Sequence, residues 1–179
     1  MSFINSASSQ LKKEMYKEIQ TERLLIRPIK LEDKHFIYSL VNTNGWLKYI
    51  GDRNIKNSSN AENYIQKILD NKNYYYNVIE NINTKEPIGI VTFLKRASQE
   101  FPDIGFALLP QFEKKGYTFE ACKKYLDEII SLKSYHKIIG ITIPENINSI
   151  KLLQRLGLEF ERNVTENNEI LSVYSITIQ

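Results

Sequence analysis

The chain reads as a mixed α/β domain (α+β) whose elements run β-α-α-β-β-β-α-β-α-β-β. Three observations carry that reading. Short apolar runs bounded by turn residues alternate with longer segments whose apolar residues recur at helical spacing. "IGIVTFL" is apolar on both faces, which places it in the middle of a sheet. "DIGFALL", a helix-period segment and "KIIGITI" follow one another from Asp103 to Ile143, the order of a right-handed parallel crossover.

The elements follow in order. Residues 1–20 are polar and are expected to form a flexible N-terminal arm ahead of a single domain over residues 21–179. "LLIRPI", Leu24 to Ile29, is a strand ending at a proline. In "LEDKHFIYSLVN" the residues Phe36, Ile37, Leu40 and Val41 make a helical stripe, and Tyr64, Ile65, Ile68 and Leu69 repeat it in "NSSNAENYIQKILDN" behind its cap residues. "YYYNVIE" and "PIGIVTFL" are strands joined by polar "NINTKE", a hairpin connection; Tyr74, Tyr75 and Tyr76 suit strand packing better than base stacking. After "DIGFALL" and a turn, a helix from about Tyr117 to Leu132 buries Cys122, Tyr125, Leu126, Ile129 and Ile130. "KIIGITI" is the next strand. "PENINSIKLLQRLGL" is a helix running from an Asn cap to Gly157. "LEFERNV" and "ILSVYSITI" close the sheet as a pair.

Composition narrows the function classes. With 24 basic and 21 acidic side chains the net charge is +3, without the basic excess of a dedicated nucleic-acid binder. One cysteine, Cys122, allows neither an intramolecular disulfide nor a cysteine zinc site. His35 and His136 have no helix-spaced partner, so no metal is expected. The first twenty residues lack the apolar core of a signal peptide, and no apolar run is long enough to span a bilayer. The expectation is a cytoplasmic protein, with neither membrane nor nucleic acid as partner.

The stretch "QFEKKGYT" lies where a strand hands over to a helix. A helix N-terminus offers unpaired N–H groups and the positive end of its dipole. Gly116 permits close backbone approach, and Lys114 and Lys115 add charge, so a diphosphate-bearing ligand fits the turn. The same residues also suit a plain turn with a solvated lysine rim. The pattern is neither a Walker A loop nor the Gly-x-Gly-x-x-Gly fingerprint.

Four segments together resemble the GNAT-type N-acetyltransferases, most nearly the branch that acetylates ribosomal-protein N-termini. They are "TERLLIRPIKLED", "PIGIVTFLKR" followed by "DIGFALLP", "EKKGYTFEA", and "PENINSIKLLQRLGL" with its Asn-x-x-Ser helix entry. The resemblance covers about residues 20–178. It implies a mostly antiparallel central sheet of about seven strands with helices on both faces, and acetyl-CoA as cosubstrate. Phe106, Ala107 and Leu108 fall where backbone groups pair with the pantetheine arm, and the Leu108 N–H where the thioester carbonyl is polarised. Glu113, Lys114, Lys115, Gly116, Tyr117 and Thr118 occupy the motif whose amides hold the pyrophosphate. Glu113, Lys114 and Thr118 depart from the family's usual Arg or Gln, Gly, and Gly or Ala; backbone donors survive those changes.

Acetyl transfer to an amine needs a proton removed, a carbonyl polarised, two reactants held close, and a thiolate protonated. Asp103, where this branch commonly has a carboxylate, is the candidate general base; the bland reading is a polar residue ending the "EFPD" turn. Ser149, in the family's Asn-x-x-Ser, is the candidate to protonate or hydrogen-bond the thiolate, or else a first-turn serine. Asn146 caps its helix and also falls where the family touches pantetheine. Cys122 reads as a core thiol and Glu120 as a helix-positioning group; "WLKYIGDR" falls where the family puts a loop near the acceptor cleft, so Trp46 or Arg53 is a candidate to shape substrate choice, with packing the first reading for Trp46. The expected activity is direct acetyl transfer to a primary amine, a protein N-terminus or a small molecule. The competing readings are a non-catalytic CoA-binding sensor or scaffold and a nucleic-acid-binding domain. The resemblance also raises a homodimer as an assembly to test.

Overall fold

The computed structural model of the chain describes residues 16–166 and 168–178. In chain order its elements are β1 (Ile19–Gln20), β2 (Leu24–Pro28), a 3-10 turn (Leu31–Asp33), α1 (Lys34–Val41), α2 (Asn44–Tyr49), α3 (Ser58–Asp70), β3 (Tyr74–Asn81) and β4 (Pro87–Leu94). Then come β5 (Asp103–Leu108), a 3-10 turn (Pro110–Phe112), α4 (Tyr117–Ser131), β6 (Lys137–Thr142), α5 (Ile147–Arg155), β7 (Glu159–Glu166) and β8 (Glu169–Thr177). The mixed α/β reading holds, with two additions.

The first addition is a strand. The sheet has eight strands in the order β1-β2-β3-β4-β5-β6-β8-β7, where about seven were expected. The eighth is β1, in the segment read as arm: Ile19 and Gln20 pair with Ile26 and Leu25 of β2. Just before it, Tyr16 donates its hydroxyl to the Tyr74 carbonyl at 2.9 Å. The rest of the expected arm, residues 1–15, lies outside the described residues. The second addition is α2, where Thr43 caps the segment by accepting the Trp46 N–H at 3.3 Å. Trp46 is buried, as the packing reading required.

Cores on both faces hold the sheet. On one side α4 and α5 press Cys122, Tyr125, Leu126, Ile129 and Leu153 against Leu24, Ile26, Ile79, Phe93 and Ile104 of the strands. On the other, Ile37 and Leu40 of α1 and Ile65 and Ile68 of α3 pack on Val78, Ile90 and Leu94. The period of two along β3 sends Tyr75 to the first core and Tyr76 to the second, so the tyrosine triplet is mostly packing rather than a stacking surface. The far edge, β7, is blunted by Glu159, Glu161 and Arg162 and by a bulge between Phe160 and Arg162.

Neighbouring strands are antiparallel except β5 and β6. These two run parallel through α4, as the crossover pattern predicted. Gly89 of β4 opposes Leu108 of β5 so closely that a Cβ on it would stand 2.5 Å from the Ala107 carbonyl oxygen and 2.5 Å from Leu108 Cδ1. Gly89→Ala is therefore expected to destabilise the fold by about 1–3 kcal/mol, read as a lower urea midpoint at unchanged slope.

Candidate active site

β5 stands fifth of eight strands, yet its second half is only half-buried. The cause lies in its peptide groups. Leu109 donates its N–H to the Ile88 carbonyl at 2.8 Å, so by strand alternation Ala107 also turns its peptide groups to β4. Ile104, Phe106 and Leu108 turn theirs to the side of β6. There the ladder is brief: Ile139 donates to the Pro102 carbonyl at 3.0 Å, and Asp103–Ile139 is the only registered pair. Beyond it β5 and β6 part. Phe106 and Leu108 are left with N–H and C=O groups facing a slot. Ala107, expected with them, has its peptide groups engaged with Ile90 of β4 and lines the other face of the strand.

Because the two strands are parallel, both hand over to helices at the same end of this slot. On the β5 side, Gly116 (φ +82°) begins α4 and supplies no side-chain cap. The amides of Lys114 to Phe119 have no hydrogen-bond partner among the described residues, while Glu120 N–H closes the first turn onto the Gly116 carbonyl at 3.1 Å. A concavity of free amides at a helix start, with Lys114 and Lys115 exposed beside it, suits an anionic group. Lys114 itself is left-handed at φ +60°.

A tie to β2 sets the loop's position. Arg23 Nη1 donates to the Lys115 carbonyl at 3.1 Å, and its guanidinium lies 4.5 Å from the Tyr117 ring centroid. Glu120 holds that arginine: it accepts from Arg23 Nε at 2.7 Å, from the Arg23 N–H at 3.1 Å and from the Thr21 hydroxyl at 2.6 Å. Desolvation pushes the Glu120 carboxyl up, but the hydrogen bonds from Thr21 and Arg23 outweigh it and hold the group below the usual carboxylate range.

On the β6 side, Asn146 caps α5 by accepting the Ser149 N–H at 3.2 Å. The Ser149 hydroxyl makes no hydrogen bond among the described residues, and the residue is half-buried. Asp103 sits differently. It lies at the closed end of the parallel pair, and Arg96 binds both its oxygens, Nε to Oδ1 at 2.7 Å and Nη2 to Oδ2 at 3.2 Å. Its side chain is 3% exposed, that of Arg96 44%. Burial pushes the Asp103 carboxyl up against the opposing pull of Arg96, and nearby Glu166 adds to the rise. A depression of about 300 Å³ beside Pro102, Tyr135 and His136 opens at the end of the sheet away from the slot. Its lysines are engaged, Lys137 with Glu161 at 2.7 Å and Lys95 at 5.0 Å from the Tyr135 ring centroid.

The model of the acetyltransferase (GNAT) domain matches residues 23–159, more than half of the chain. The chain belongs to the GNAT acetyltransferase family. This acetyltransferase is 26% identical over 165 residues to the uncharacterized N-acetyltransferase YnaD of Bacillus subtilis, covering 89% of this chain and 95% of the relative. It is 30% identical over 149 residues to the uncharacterized N-acetyltransferase p20 of Bacillus licheniformis, covering 80% and 83%. In fold it is similar to RimL, a ribosomal alpha-N-protein acetyltransferase solved in complex with coenzyme A: the TM-score is 0.79 at 14% identity, over 90% of this chain and 98% of that one.

The sequence brought the acetyltransferase's loop and both helix entries to one place. It did not show the Arg23–Glu120–Thr21 tie, in which Glu120 lies 97 and 99 residues from the other two, nor the Arg96–Asp103 pair. "TERLL" and "FEA" were the signals available for the first, but only as separate segments. Glu120 gives the tie a pH signature. A carboxyl held below its ordinary range stabilises the fold at neutral pH, and that contribution is lost as the pH falls from the ordinary carboxylate range through its own lower value. The stability difference between the unaltered chain and Glu120→Gln, measured by urea unfolding, is therefore expected to shrink between about pH 5 and about pH 3.

Proposed function

We propose that this protein transfers the acetyl group of acetyl-CoA directly to a primary amine while both are bound. The observation that carries the reading is the slot: a strand inside the sheet whose Phe106 and Leu108 peptide groups face open space, with free amides of Lys114 to Phe119 at its end. A pantetheine arm is a chain of amides that bonds such a strand edge, and a diphosphate suits the amide cluster. The residues present thus fit the cosubstrate. Acetyl-CoA supplies an activated thioester, so the protein needs no nucleophile of its own.

In this reading the Leu108 N–H donates to the thioester oxygen and stabilises the charge that develops there. Gly116, Tyr117 and Thr118 hold the diphosphate through their amides, Lys114 and Lys115 offset the charge of Glu113, and Arg23 keeps the loop in place. Ser149, with its hydroxyl uncommitted, donates to the sulfur as the carbon–sulfur bond breaks, and Asn146 fixes the helix entry that presents it. As the nitrogen–carbon bond forms, the amine's proton passes to water in the cleft. Asp103 departs from the expected base: both its oxygens are bound by Arg96 and it is nearly inaccessible, so we assign it the holding of Arg96. The acceptor is a protein N-terminus or a small amine in the cytoplasm. The uncommitted Ser149 favours this over a CoA-binding sensor.

Thiol release from acetyl-CoA with a panel of amines tests the activity, and a melting scan tests the site. A ligand at a hundred times its Kd stabilises the native state by about 2.7 kcal/mol. Acetyl-CoA and CoA are expected to raise Tm clearly, ATP little and NAD not at all. Gly116→Val, which strains a left-handed residue by about 1–2 kcal/mol, is expected to abolish most of the CoA shift. An unshifted Tm with CoA would sink the reading. For Asp103, the pH profile decides. Asp103→Asn and Arg96→Gln are expected to lower kcat/KM by similar factors with the acid limb unmoved, whereas a base would shift that limb in Asp103→Asn alone.

A further inference from the structure

The loop between α2 and α3, "IGDRNIKN", is held more firmly than its polar sequence requires. At one end Trp46 donates its indole N–H to the Gly51 carbonyl at 3.1 Å and accepts the Gly51 N–H on its own carbonyl at 3.0 Å. At the other, the Asn42 side chain donates to the Ile55 carbonyl at 3.0 Å, and Ile55 is buried. Between these pins the Asp52 carboxylate accepts the Asn54 N–H at 2.7 Å, and Gly51 (φ +99°) and Asn54 (φ +54°) take left-handed conformations. That turn sets Arg53 at its apex. A Cβ on Gly51 would stand 3.7 Å from Arg53 Nη1, so the guanidinium folds back over the glycine.

Arg53 has no carboxylate partner and no hydrogen bond among the described residues. Ile55, two residues further along the same loop, is buried in one core with Tyr76. Burial pushes the Tyr76 phenol up, neighbouring Tyr64 adds to the rise, and the guanidiniums of Arg53 and Arg96 act in the opposite sense. Tyr76, Thr92 and Gly105 are register partners across β3, β4 and β5, so they form one row on the α1–α3 face. The row ends beside Phe106, the first peptide of the slot, about 10 Å from Tyr76 at two strand spacings. Its last member is bare because the Thr92 hydroxyl, 2.7 Å from an ideal Cβ position, fills the space a Gly105 side chain would need. At the other margin Glu166 lies near Asp103. The face thus carries an unneutralised guanidinium at one margin, a carboxylate at the other, and the slot between.

We propose that Arg53 recognises a carboxylate borne by the acceptor, so that the preferred acceptors are amines carrying an acidic group on the side away from the nitrogen. The inference rests on the acetyl-transfer reading and adds the substrate class. An arginine fork binds a carboxylate through two parallel N–H donors, and such charge-assisted pairs are about twice as strong as neutral ones. A turn pinned at both ends fixes the backbone that carries that fork, which lowers part of the ordering cost of the pair. A plain amine or a polyamine would leave the guanidinium unused and face like charge.

The test uses acceptors matched in all but one group: glycine against glycinamide, and the amidated dipeptides seryl-aspartate against seryl-asparagine. Affinity is measured by calorimetry with CoA present, and thiol release with acetyl-CoA, for the full chain, Arg53→Gln and Arg53→Lys. In at least one pair the acid is expected to bind at least about tenfold more tightly than its amide. Arg53→Gln should bring the two to parity, and Arg53→Lys should restore part of the difference. A CoA-dependent rise in Tm shows that each variant is folded. Equal affinity within both pairs, absence of binding included, or a preference that survives Arg53→Gln overturns the proposal. An Arg53-dependent preference without thiol release leaves the carboxylate site standing and removes the acetyl-transfer reading; thiol release without the preference does the reverse.

Discussion

Two parallel strands that share one registered pair and then separate are the constraint on which the site depends. Asp103 and Ile139 meet, and the ladder stops. Close packing flanks the separation on each side. Gly89 has no side chain, so Leu108 leans over β4; Gly140 has none, so Leu153 of α5 drives into β6, 2.4 Å from where a Cβ would sit. Beyond the one registered pair, the Phe106 and Leu108 peptide groups stand in the middle of the sheet without strand partners. Buried unpaired peptide groups are costly, and here the cost is avoided because the slot opens to solvent or to a ligand's amides.

In the proposed reading, backbone chemistry also explains how this chain would tolerate an unusual cofactor loop. The grip on an anion would come from amides ordered by the start of α4 and by the left-handed turn at Gly116, not from side chains. Glu113, Lys114 and Thr118 can therefore differ from the family's habits so long as the loop's path is kept. That path is fixed from the segment just before β2, through Arg23 and Glu120, two residues that meet only in the folded chain.

The order of elements was legible because it is written in local periodicity. The stripe of Cys122, Tyr125, Leu126 and Ile129 named a buried helix face, and the two-sided "IGIVTFL" named a central strand. β1 escaped notice because two residues carry no period; it exists through its pairing with β2. α2 escaped because six residues with one buried Trp look like loop. At the site, the turn at Gly116 and its setting could be read, and so could the Asn146 cap. The surroundings of Asp103 could not: its strand position matched a general base, while the arginine that occupies both its oxygens lies seven residues earlier across a turn. Contacts of that kind depend on how strands are placed, and no spacing rule in one sequence encodes them.

Cys122 lies wholly inside the core beneath α4, and burial pushes its thiol far above the range in which thiolate forms. The chain has no other cysteine. A protein built to handle a thioester thus carries no sulfur nucleophile of its own within reach. Alkylating agents and peroxide, which act on exposed thiolates, find no target in its only cysteine. Nor can the coenzyme's freed sulfhydryl be captured by that cysteine as a mixed disulfide, so each turnover would leave the protein chemically unchanged.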